Sequence, residues 1–124
     1  MNIEKAQAVQ IAKTLRDVGV PASLLGYVYL EEAISLALAD KSYLRGITKR
    51  LYPMIAISNN TAPSRVERAI RHAIETGWDR GDIDVKASYF GNTVQGNRGK
   101  PTNAEFIATL VETITLKNLQ EAEL

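Results

Sequence analysis

The sequence predicts an all-α domain of six helices containing a helix-turn-helix, and three observations carry that expectation. Apolar residues recur at helical spacing, as in Leu30, Ala33, Ile34, Ala37 and Leu38, and no segment reads as a strand. Glycine and proline fall between these segments, where the chain has to turn: Gly19, Pro21, Pro63, Gly81 and the stretch Gly91 to Pro101. The 124 residues, 45% hydrophobic, suffice for one core without a disulfide or metal staple. No repeat or linker divides residues 1–124, so they are read as one unit.

Ile3, Ala6, Val9, Ala12 and Leu15 place a first helix before Gly19, which can supply a left-handed terminating residue, and Pro21. A second runs from about Tyr27 to Asp40, with Glu31, Glu32 and Ser35 opposite its apolar stripe. A third spans roughly Tyr43 to Ile57, with Leu44, Ile47, Leu51, Ile55 and Ala56 inward; Pro53 either bends it or splits it in two. Asn59 to Pro63 is a turn, and a fourth helix runs from Pro63 to Arg80, closed by Gly81. A fifth follows near Asp84 to Phe90. The last starts at Thr102 or Asn103, either of which can cap it, and buries Phe106, Ile107, Leu110, Val111 and Ile114. Residues 46–80 form the helix-turn-helix, with 63–80 as its second helix.

Composition removes several kinds of chemistry. Without cysteine there is no thiolate nucleophile and no Cys-ligated metal. His72 is the only histidine and sits among arginines, so no metal site is expected; Ser64 has no partner base for a triad. The loop around Gly99, Lys100 and Pro101 fails the phosphate-loop spacing, because Val94 stands at the first glycine position and Pro101 follows the lysine. Trp78 and Tyr52 read as core. No enzyme and no cofactor are expected. No apolar run approaches the ~20 residues of a membrane span, and the Met1-Asn2-Ile3-Glu4 start lacks a signal-peptide pattern, so the expected location is cytoplasmic, with no membrane partner.

Fifteen basic against 14 acidic side chains, taken as one balance, argues against a nucleic-acid partner. Resolved along the chain, the balance changes. Residues 41–72 carry Lys41, Arg45, Lys49, Arg50, Arg65, Arg68 and Arg71 against Glu67 alone, a net of +6 between two acidic arms. At about 100° per residue, Val66, Ile70, Ala73, Ile74 and Gly77 share one side of the fourth helix, and Arg65, Arg68, Arg71 and His72 share the other. Like charges so spaced repel, and an anionic partner would offset that repulsion. Double-stranded DNA is such a partner: its major groove admits a helix, and arginine pairs with guanine edges or clamps phosphates. Lys49 and Arg50 lie on the preceding helix. Asn60, Thr61 and Ser64 lie at the entry of the second, where donors meet phosphate. The bland alternative is a solvated charged face, with Glu67 and Glu75 each one turn from Arg71. Glu67 has two further readings: partner of Ser64 in an S-x-x-E capping box, or acceptor from a cytosine amino group.

The runs Thr48-Lys49-Arg50-Leu51-Tyr52-Pro53-Met54-Ile55-Ala56, Pro63 to Glu75 with Trp78, and Gly99-Lys100-Pro101-Thr102-Asn103-Ala104-Glu105-Phe106-Ile107-Ala108 resemble the DNA-binding effector domain of stage 0 sporulation protein A. This is a sporulation response regulator, and the similarity spans about residues 11 to 117. It implies a six-helix domain that binds operator boxes as a dimer on tandem sites, activating some promoters and repressing others. It implies that Arg65, Glu67 and Arg68 read bases, that Arg71 and His72 add base or phosphate contacts, and that the segment around Phe90 and Val94 contacts the sigma subunit of RNA polymerase. The sequence departs from the family at Ala62, where a hydroxyl residue is usual, and at Ile57 and Ser58, where basic residues are usual. The family carries an N-terminal receiver domain and none is expected within residues 1–124, so the chain reads either as an excised effector domain or as a stand-alone paralogue without phosphorylation control. The expected function is sequence-specific double-stranded DNA binding in transcription regulation; the alternative is a protein-interaction module, with lost or altered DNA binding, that modulates a full-length regulator.

Overall fold

The computed structural model describes residues 3–91 and 99–123, and every regular element among them is helical. The six α-helices are α1 Ile3–Asp17, α2 Leu25–Ala39, α3 Tyr52–Ser58, α4 Pro63–Arg80, α5 Ile83–Phe90 and α6 Asn103–Ala122. Helix α2 is central, with α1, α3, α4 and α6 packed against it. Its Leu30, Ala33, Ile34 and Ala37 are buried as their spacing predicts, and Gly26 and Tyr29 extend the stripe toward its start. They join Leu15, Ile55, Ile70, Ile74, Phe90, Phe106 and Leu110 in one apolar cluster drawn from all six helices.

Helix α1 ends as the sequence predicts. Gly19 takes φ +91°, its N–H donates to Arg16 O at 3.0 Å, and the Val20 N–H donates to Leu15 O at 3.1 Å. This pair of bonds satisfies carbonyls that a helix end otherwise leaves bare. A Cβ at Gly19 would also lie 2.7 Å from the Gly77 carbonyl oxygen of α4. The crossing of α2 and α4 is tighter still, since a Cβ on Gly26 would lie 2.1 Å from Ala69 O and 2.6 Å from Ala73 Cβ. Only small residues permit helices to approach so closely.

The segment expected as one bent helix, or two, over 43–57 is three pieces: a 3₁₀ turn at Lys41–Arg45, a π turn at Ile47–Leu51, then α3. The break falls at Gly46 and not at Pro53. Gly46 has φ −137° and ψ 46°, outside the helical region. Its carbonyl accepts from the Arg50 N–H at 2.8 Å and the Leu51 N–H at 2.9 Å, while the Tyr52 N–H reaches back five residues to Ile47 O. Pro53 sits in the first turn of α3, where its missing N–H costs little.

Candidate nucleic-acid interface

Helices α3 and α4 are joined by the four residues 59–62 and pack on each other as a helix-turn-helix. Asn60 adopts φ 52°, its N–H donates to Ile57 O at 3.3 Å, and the Thr61 N–H donates to Ala56 O at 2.9 Å. Asparagine here fills the left-handed role that glycine fills after α1. Both backbone donors are thus consumed in closing α3, so the expectation that they meet phosphate is corrected to their side chains alone.

Ala62 precedes α4 in an extended conformation and offers no side-chain cap. The capping box proposed for Ser64 and Glu67 does not form, because Ser64 is already the second helical residue. Glu67 instead pairs with Arg71, one turn further on. The buried side of α4 is Val66, Ile70, Ala73, Ile74 and Gly77, as its periodicity predicts. Arg65, Arg68, Arg71 and His72 are exposed. Among the described residues Arg65 and Arg68 have no acidic partner, whereas Arg71 has Glu67. The exposed side changes sign along the helix: Glu75 and Asp79 follow, and Lys100 Nζ lies 3.2 Å from Asp79.

Lys49 and Arg50 differ although they are adjacent. Lys49 is exposed and has no ion-pair partner among the described residues. Arg50 is engaged: Nη1 donates to Ser42 Oγ at 2.7 Å, Nη2 lies 3.7 Å from Asp40 Oδ2, and the guanidinium stands 4.5 Å from the Tyr43 ring centroid. The Asp40 carboxyl is held below the usual carboxylate range, chiefly by hydrogen bonds from the Ser42 hydroxyl and N–H, with Arg50 adding.

Sequence reasoning missed the supports behind α4. Tyr52 is buried, and its hydroxyl accepts from Asn103 Nδ2 at 3.0 Å; the same nitrogen donates to Glu67 O at 3.1 Å. Burial pushes the Tyr52 hydroxyl above its usual range, against a smaller lowering by Asn103. Glu32 of α2 accepts from the Ser58 hydroxyl and, at 3.1 Å, from Asn59 Nδ2, fixing the end of α3. A groove of about 750 Å³ runs beside α4, bordered by Tyr52, Ser64, Glu67, Arg71 and Lys100. Phe90 requires a correction: its ring is 3% exposed, edge-on to Trp78 at 5.1 Å and stacked on Phe106 at 5.5 Å, so it cannot itself touch a partner. Val94 lies outside the described residues.

The family model described as sporulation initiation factor Spo0A C terminal matches residues 11–114. The chain belongs to that family. Spo0A C-terminal domains are the DNA-binding effector part of a sporulation regulator, which makes this a DNA-binding domain of transcription regulation and not a member of a catalytic family. No helix among the described residues is long and apolar enough to cross a membrane.

Proposed function

We propose that this Spo0A C-terminal domain binds double-stranded DNA sequence-specifically in the cytoplasm, with the first half of α4 in the major groove. The observation that supports this most is the pair Arg65 and Arg68, exposed and, among the described residues, without acidic partners on the turn after the helix-turn-helix connection. Free guanidinium groups there match the bidentate chemistry that reads guanine edges. Glu67 reads a base only by exchanging Arg71 for it, and Arg71 and His72 then face base or phosphate. Lys49 and the side chains of Asn60, Thr61 and Ser64 serve the flanking phosphates; Arg50 contributes through the turn it holds. Tandem pairing on DNA and a sigma contact from the surface around α5 complete the reading.

Selection of duplexes from a random pool, followed by binding of Arg68→Ala to the enriched site, tests the proposal. Arg68→Ala should cost about 1–3 kcal/mol and relax preference at one base pair. Unchanged affinity for both enriched and scrambled duplexes would falsify the assignment. A second reading, a protein-interaction module, is favoured by Ile57 and Met54, 79% and 42% exposed on α3. No duplex shift together with co-purification of a full-length relative selects it.

A further inference from the structure

The start of α6 carries two residues in succession, Thr102 and Asn103, that can each cap a helix. Only Thr102 does so. Its hydroxyl accepts from the Glu105 N–H at 3.1 Å, and the Glu105 carboxylate accepts from the Thr102 N–H at 2.8 Å, a complete capping box. Asn103 is therefore released from local duty, and its amide spans to two other helices. Glu67 O can only accept, so the Asn103 nitrogen faces it, and the second hydrogen of that nitrogen goes to the Tyr52 hydroxyl. One side chain thus joins the first residue of α6, the first residue of α3 and the middle of the reading half of α4.

The place of this tie matters. Glu67 O belongs to the turn that carries Arg65 and Arg68, and the side chain of the same residue holds Arg71. Farther along, α4 is fixed against α2 by the close approach of Gly26 to Ala69 and Ala73. At its beginning, where Ala62 gives no cap, Asn103 supplies a polar fixing point to α4 from outside the helix-turn-helix. A base reader displaced by about 1 Å loses the geometry on which bidentate pairing depends, whereas phosphate attraction tolerates it.

Resting on the DNA-binding reading above, we infer that Asn103, through its bridge between Tyr52 Oη and Glu67 O, is a positioning residue that sets α4 for base discrimination. Its loss lowers the ratio of specific to non-specific affinity and leaves non-specific binding in place.

The test uses the full 124-residue chain and a duplex enriched from a random pool by the wild-type protein. Affinities for that duplex and for a scrambled one are measured for wild type, Asn103→Ala and Tyr52→Phe, with thermal melts of each. Asn103→Ala should reduce the specific-to-non-specific ratio about 5-fold, the size of one to two hydrogen bonds, and Tyr52→Phe should reduce it less. A ratio unchanged in a folded Asn103→Ala, or equal losses on both duplexes, overturns the inference and leaves a structural bond only. If Asn103→Ala does not fold, Tyr52→Phe decides, because it keeps the buried ring and removes only the hydroxyl. Failure of the wild type to enrich any duplex overturns the DNA-binding reading itself and this inference with it; an enriched duplex with an unmoved ratio overturns the positioning role alone.

Discussion

Lys49 and Arg50 carry the same charge on adjacent residues, yet only one of them is free to leave its place for a phosphate. Lys49→Ala should weaken binding to all duplexes alike and reduce the salt slope by about one, measured by titrating affinity against salt. An unchanged slope would remove Lys49 from the interface. Arg50→Ala should loosen the turn before α3, seen as a small drop in melting temperature, because it removes the bond to Ser42 and the contact with Tyr43. Its counterion Asp40 gives a pH signature. Its carboxyl is lowered by Ser42 and Arg50, so the unfolded chain takes up that proton first as pH falls. The stability Asp40 adds is present above the ordinary carboxylate range and is lost as pH falls through the lowered folded value. Asp40→Asn should flatten the acid limb of a stability-against-pH curve; an unaltered limb contradicts it. The face of α4 was legible in the sequence at this scale because a helical period decides which residues point outward. The fate of Arg50 was not, because it depends on the backbone break at Gly46 that brings Ser42 and Tyr43 to it.

Helix ends show the same contrast. Gly19 was readable as a terminator because glycine alone adopts its φ without strain, and Gly81 as the residue after α4. The roles of Thr102 and Asn103 could not be separated, since both have the chemistry of a cap and only the third dimension shows that Tyr52 and Glu67 lie within reach of one of them. Ser64 and Glu67 spelled a capping box two residues too late, because Pro63 fixes the helix start and leaves Ala62 at the cap. Ala62 is extended and exposed, the conformation a capping residue needs. Ala62→Ser should therefore stabilise the protein by about 1 kcal/mol in chemical denaturation, and a neutral or destabilising result would show that α4 is already satisfied at its start. Gly26→Ala should do the opposite, at about 3 kcal/mol or more, because its Cβ would meet the Ala69 carbonyl at 2.1 Å and α4 would have to move.

Over the whole molecule, near-equal numbers of acidic and basic groups conceal a separation. The basic block at 41–72 covers α3, the turns leading into it and the first half of α4, and α4 itself passes from Arg65 and Arg68 to Glu75 and Asp79 along its exposed side. A uniformly basic helix would adhere to any polyanion along its length. In the proposed reading, Glu75 and Asp79 beyond His72 disfavour a polyanion on that part of α4, although Arg80 ends the helix, and leave DNA the first half, the half that enters a groove in helix-turn-helix proteins. The six-helix architecture was legible because spacing and turn residues agreed outside 43–57, where the chain breaks at Gly46 and not at Pro53, whereas Phe90 was assigned to a surface although its ring packs between Trp78 and Phe106. Guanine methylation interference on a duplex enriched by the wild-type protein tests the central claim most directly, since N7 lies in the major groove. Methylation of specific guanines should block binding by the wild type, and Arg68→Ala should lose sensitivity at one of them; binding indifferent to N7 methylation would contradict the placement of α4 in the major groove.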